Sequence, residues 1–221
     1  MESLAMTPPD DGRSLVNQTL LWGGALLIAG GAVQIVTVRI APEPTQGSSY
    51  TLLNYYLPAA VSATLVLAGC LVLATGLRRS GDVVGGTPWG RIALLGFGGC
   101  HAYLAWSGVF ADVGLTLLAQ LGILFALLVP LFAVASALVI AWQRTLPGGW
   151  SVFPGLVLAF VVAAAAFSQM PGVVPPSFGY VVTTIVPWVL LGTVAVVLAG
   201  RTPTLVPRPR RGGENVSHCS L

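Results

Sequence analysis

Charged positions punctuate this chain at wide intervals, and the apolar runs between them have the length a helix needs to cross a bilayer, about 20 residues. Arg91 and Asp112 frame one such run, with no acid or Arg between them. From Arg144 to Arg201 the chain carries 56 consecutive residues without Asp, Glu, Lys, Arg or His, enough for two crossings and a short connection. The pattern predicts six spans at residues 16–38, 57–77, 92–111, 117–141, 152–169 and 179–199. The fifth is the shortest and is bracketed by Pro154 and Pro171. The expected fold is therefore all-α, a polytopic transmembrane bundle of six helices.

Composition agrees with that reading and removes alternatives. The chain is 55% hydrophobic and 8% charged, against about 25% charged residues in an ordinary soluble domain. All ten basic residues are Arg, a usage that points to a GC-rich bacterial genome, and the net charge of +3 is no mark of nucleic-acid binding. Cys70, Cys100 and Cys219 are too few and too scattered for a disulfide framework. Cys70 and Cys100 fall inside spans, where a thiol behaves as a small apolar side chain. Cys219 follows His218, but one His and one Cys do not complete a zinc site, and Cys219 is one position off for prenylation.

The arginines set an orientation. With the N-terminus in the cytoplasm, Arg13, Arg78, Arg79, Arg91, Arg144, Arg201, Arg208, Arg210 and Arg211 lie inside and Arg39 alone lies outside, as the positive-inside rule requires. Both termini are then cytoplasmic and the expected location is the cell membrane, the inner membrane of a bacterium. Residues 1–13 read as a disordered lead without the basic region of a cleaved signal, 14–200 as the membrane domain, and 201–221 as a disordered basic tail that meets anionic lipid. Asn215 to Ser217 form a glycosylation sequon, which a cytoplasmic tail keeps from the glycosylation machinery. Tyr50, Tyr55, Tyr56 and Tyr180 mark the outer boundary, and Trp89, Trp142 and Trp150 the inner one.

Within lipid, helices associate through close packing of small residues. The first span offers Gly23, Gly24, Ala25, Ala29, Gly30, Gly31 and Ala32, the third Gly96, Gly98 and Gly99, and the fifth the run Ala163 to Ala166. Ala25 and Ala29 form a small-xxx-small pair, which serves internal packing more often than it docks a membrane-protein partner. Pro130 and Pro187 lie inside the fourth and sixth spans, where each is expected to kink its helix.

The polar residues inside the spans are the candidates for function. His101 lies near the middle of the third span, where an ionisable side chain is costly and marks a functional candidate. Asp112 returns to within about 20° of the same helix face, roughly 16 Å further along, with Tyr103 and Ser107 between them. The competing reading of His101 is a neutral imidazole bonded to a hydroxyl or to a carbonyl freed by a proline. Gln34, Ser107, Gln120, Thr183 and Thr184 fall in the outer halves of their spans, with Asn54 near the boundary. If they converge, they line an outward-facing polar pocket. The candidate pocket or pathway is thus His101, Gln34, Gln120, Tyr103, Ser107 and Asp112.

There is no G-x-S-x-G elbow, H-E-x-x-H helix, Walker A sequence or intramembrane carboxylate pair. No catalytic residue, cofactor site or metal site is expected. The first functional reading is a non-catalytic multi-pass protein, an accessory or packing subunit of a membrane complex. The second is a small-solute transporter or substrate-binding membrane subunit that uses the polar pocket.

Overall fold

The computed structural model describes residues 11–40, 52–76, 84, 87–144, 146, 148–168 and 185–201. They form α1 (Asp11–Ile40), α2 (Leu57–Thr75), α3 (Pro88–Asp112), α4 (Thr116–Gln143), α5 (Phe153–Ser168) and α6 (Val186–Arg201). A π-helical turn, Leu52–Tyr56, leads into α2, and a 3-10 turn, Gly148–Val152, leads into α5. No strand occurs among the described residues. Four segments are long and apolar enough to cross a membrane: Val16–Val36, Leu52–Thr75, Pro88–Asp112 and Thr116–Gln143. α5 and α6 are apolar but shorter, at 16 residues each.

The helix starts follow the sequence. Pro88 stands in the first turn of α3, where a missing N–H leaves no internal bond unmade, and Pro58 stands where the π-helical turn passes into α2. α1 begins at Asp11, inside the polar lead read as irregular. Pro130 lies well inside α4 and removes the bond to the carbonyl of Ala126, while Pro187 is the second residue of α6 as described, and residues 181–184 before it lie outside the described residues. The connections at 41–51 and 169–184, including Tyr50, Tyr180, Thr183 and Thr184, lie outside the described residues. So do Arg78, Arg79 and the tail with Arg208, Arg210, Arg211, His218 and Cys219.

Neighbours in sequence are neighbours in space, and α6 closes back on α1, so the six helices form an up-and-down ring. Glycines on α1 make this closure possible. Gly23 and Gly30, two turns apart, face α2: a methyl group on Gly30 would stand 2.8 Å from Val66 Cγ2 and 2.9 Å from the Ser62 carbonyl oxygen. Gly24 and Gly31, one residue later and so about 100° around the helix, face α6. A methyl group on Gly24 would stand 2.7 Å from the Gly192 carbonyl oxygen, and one on Gly192 2.6 Å from the Gly24 carbonyl oxygen. Backbone therefore lies on backbone on both flanks of α1. At the α1–α2 crossing, the Ser62 hydroxyl donates a 2.7 Å hydrogen bond to the Gly30 carbonyl.

Ala25 and Ala29 both point out of the ring and are exposed, so the internal role expected of that pair falls to the glycines. On α3, Gly98 admits Cys70 of α2 while Gly96 admits the Phe132 ring of α4. The α3–α4 turn is fixed by a Schellman motif. Leu115 N–H donates to the Phe110 carbonyl at 2.8 Å and Gly114 N–H to the Ala111 carbonyl at 3.2 Å, with Gly114 at φ +82°. The side of the bundle that holds this turn is called the turn end below. The opposite side, where α1 starts and α6 finishes, is the terminal end.

Candidate functional site

The ring surrounds a partly open cavity of about 710 Å³, and all six helices line it. Its walls are mostly aliphatic and aromatic. The polar lining residues are distributed unevenly along the ring axis. Gln34, Tyr55, Tyr56, Ser62 and Ser107 lie in the half toward the turn end, and His101 lies near the middle. The half toward the terminal end is formed by residues such as Leu20, Leu73, Ile140, Leu146 and Leu198. Ser136 reaches the wall from α4, but its hydroxyl donates to the Ala133 carbonyl of its own helix at 2.9 Å. Cys70 is a free, buried thiol packed where Gly98 makes room.

His101 is placed by α3 and braced from across the ring by α6. Its imidazole lies against the indole of Trp188, with ring centroids 4.9 Å apart. Phe97, one turn earlier on α3, touches the other part of the same indole at 5.3 Å. Trp188 is itself buried, and it packs near Gly31 of α1, so the α1 glycine face sets its depth. Among the described residues the His101 imidazole has no hydrogen-bond partner, and its surface is only partly covered. No described hydroxyl or carbonyl bonds the imidazole, while Thr183, whose carbonyl Pro187 would free, and Thr184 lie outside the described residues. What remains is an imidazole lining an internal space, aromatic on one side.

Three of the six sequence candidates, His101, Gln34 and Ser107, share this cavity. Gln34 is buried at 6% exposure. Ser107 donates to the Leu104 carbonyl at 2.6 Å and abuts Gly122, so it sits at the α3–α4 seam. The other three do not line the cavity. Gln120 is exposed on the outer surface of α4. Tyr103 faces α4, stacked on Phe125 at 4.2 Å, with its hydroxyl donating to the Leu118 carbonyl at 2.9 Å. Asp112 closes α3 at the turn and is half-buried. Position within a span predicts depth but not azimuth, and azimuth separates these two sets.

Sequence reasoning missed Trp188 and Ser62. Trp188 reads as one more aromatic in an apolar run, and only the closure of α6 onto α1 aims it at His101. Ser62 lies in the turn-end half of α2, and its hydroxyl was not distinguished from others at that depth. On the outside, Trp89 at 75% and Trp142 at 87% exposure stand at the terminal end, as interfacial anchors do. Thr64, also outside, relays a bond from the Trp106 indole N–H, 3.1 Å away, to the Ala60 carbonyl at 2.7 Å.

Comparison with known protein families, with curated proteins and with solved structures yields no match. The functional reading therefore stands on the cavity itself.

Proposed function

We propose that this chain is a non-catalytic, six-crossing membrane protein whose ring of helices holds a small, mainly apolar molecule, acting as a substrate-binding or transport subunit. One observation carries the reading: the helices surround a partly open space of about 710 Å³, within the roughly 300–1,000 Å³ of small-molecule sites, and a few polar residues line it. A protein that acts only by packing against partners has no need of such a space. No Asp, Glu, Lys or Arg is among the described lining residues, so the cavity offers no acid–base pair for catalysis.

Six crossings are supported by the up-and-down ring, in which α5 and α6 are shorter but apolar. Nine of ten arginines then lie on the side of both termini, which supports a cytoplasmic N-terminus and C-terminus and insertion in a bacterial inner membrane. The turn end of the cavity, with Gln34 and Ser107, faces outward in this orientation. Cysteine labelling in intact cells tests it: Ser48→Cys reacts with a membrane-impermeant maleimide from outside and Ser80→Cys does not. The reverse pattern would invert the topology.

Native mass spectrometry of the protein released from lipid nanodiscs tests the cavity. The expected spectrum shows a retained small molecule that disappears when the space is filled by Ala133→Trp or, separately, by Ala195→Phe. A wild-type chain that is always bare, or adducts undiminished in both variants, would contradict the reading.

A second reading, an accessory subunit docked on a membrane partner, is favoured by the outward placement of Ala25 and Ala29 on α1. Ala25→Leu with Ala29→Leu separates the two. It disrupts co-purification with a partner and leaves the retained small molecule in place.

A further inference from the structure

The cavity is elongated. Its lining residues on α1 run from Leu20 to Gln34, about 21 Å of helix axis, whereas a sphere of 710 Å³ is only about 11 Å across. Along that length its chemistry changes once. The terminal-end half is lined mostly by apolar side chains such as Leu20, Leu73 and Leu198, whereas Ser62, Tyr55, Tyr56 and Gln34 are among the residues lining the turn-end half. At the boundary stands His101, whose imidazole has no hydrogen-bond partner among the described residues. A neutral imidazole carries one donor and one acceptor, and a polar group left unpaired inside a membrane protein is costly. A ligand in the cavity can supply at that depth the bond that no described residue makes.

The absence of charge from the described lining restricts what the ligand carries there. A carboxylate or phosphate at His101 would sit in a low-dielectric space with no Arg or Lys among the described walls to pair with it. An uncharged head, a hydroxyl or a carbonyl, needs no counter-ion: His101 can bond it, and Ser62 and Ser107, whose hydroxyls donate to backbone carbonyls, can still accept from it.

We infer that the cavity takes a single-chain amphiphile with an uncharged, hydrogen-bonding head, lying lengthwise with its head between His101 and Gln34 and its chain directed toward Leu20, Leu73 and Leu198. This rests on the proposal that the cavity binds a small molecule, and it assigns that molecule's class and direction. Trp188 is then a positioning residue. It braces the imidazole through ring contact and makes no hydrogen bond to either ring nitrogen.

Photolabelling in phosphatidylcholine nanodiscs tests the assignment with two probes made from hexadecan-1-ol, one with a diazirine beside the head carbon and one with it at the chain end. Peptide mapping is expected to place the head probe near Gln34, Ser62 and His101, and the chain-end probe near Leu20, Leu73 and Leu198. Unlabelled hexadecan-1-ol is expected to compete at least about tenfold better than hexadecyl phosphate. His101→Phe keeps an aromatic ring against Trp188 and removes the hydrogen bond. It is expected to weaken the alcohol about three- to tenfold while leaving competition by hexadecane unchanged. Gln34→Leu serves as a second variant, with the same direction of effect, should His101→Phe fail to fold. Reversed labelling, or equal or better competition by the phosphate, overturns the ligand class and direction while sparing the cavity reading. Labelling confined to outward residues such as Leu117 and Leu131 overturns both.

Discussion

α1 and α4 occupy opposite positions in the ring and are built on opposite rules. In the membrane-length window of α1, 44% of residues are buried, and in that of α4 only 17%. α1 is wedged between α2 and α6 through paired glycines that let backbones touch. α4 instead turns large aliphatic side chains outward, with Leu117 at 78%, Ile123 at 72%, Leu127 at 67%, Leu131 at 65% and Leu138 at 64% exposure. In water such a leucine face would be the core and the glycine face the surface. Surrounded by lipid the order reverses, because a leucine gains nothing by leaving one hydrocarbon for another, whereas close backbone approach gains dispersion contacts that lipid does not supply. Small residues therefore define the inside of this bundle.

The largest break in that comparison is expected from Gly24→Val. Its Cβ would lie 2.7 Å from the Gly192 carbonyl oxygen, a backbone atom that moves only if α1 and α6 separate. Overpacking of this kind costs about 1–3 kcal/mol, and unfolding of the purified protein in mild detergent should register a loss at the upper end. A wild-type midpoint would mean that α6 does not close on α1 there. Next comes Gly114→Ala in the α3–α4 turn. Gly114 has φ +82°, which a Cβ disfavours, so a loss of about 1 kcal/mol is expected.

The adjacent pair Gly98 and Gly99 sharpens the comparison further. A methyl group at Gly98 would meet Cys70 Cβ at 3.0 Å, while one at Gly99 would meet nothing within 4 Å. Gly98→Ala is expected to destabilise slightly and Gly99→Ala to be neutral or to stabilise by up to about 1 kcal/mol through helix propensity. Equal effects at both would contradict the α2–α3 packing. The smallest effect belongs to α4. Leu131→Ala and Leu138→Ala, which truncate outward side chains, are each expected to fall within about 0.5 kcal/mol of wild type. A loss of several kcal/mol at either would mean that another protein, not lipid, covers that face.

These same two helices show what the sequence reveals and where it stops. Helix number and approximate limits are legible because breaks such as Arg91, Asp112 and Arg144 fall where the bilayer forces polarity. The glycines of α1 are legible as packing residues because no other force assembles helices in lipid. Their allocation to two different neighbours is not, since Gly23 and Gly24 differ only in azimuth. The same ambiguity divides the candidate site. Gln34 and Gln120 lie at similar depth in their spans, yet one faces the cavity and the other the outside of α4. His101 is legible as a costly residue at the midplane. Its contact with Trp188 depends on ring closure, a long-range event that no local pattern encodes.

The central claim is that the ring holds an occupied internal space, and an experimental density map of the protein purified in mild detergent tests it most directly. Elongated density is expected inside the ring, in contact with His101 and running toward Leu198, with the Trp188 indole tilted against the imidazole. A map in which α5 has moved inward, so that the walls meet and no space remains beside His101, would contradict it.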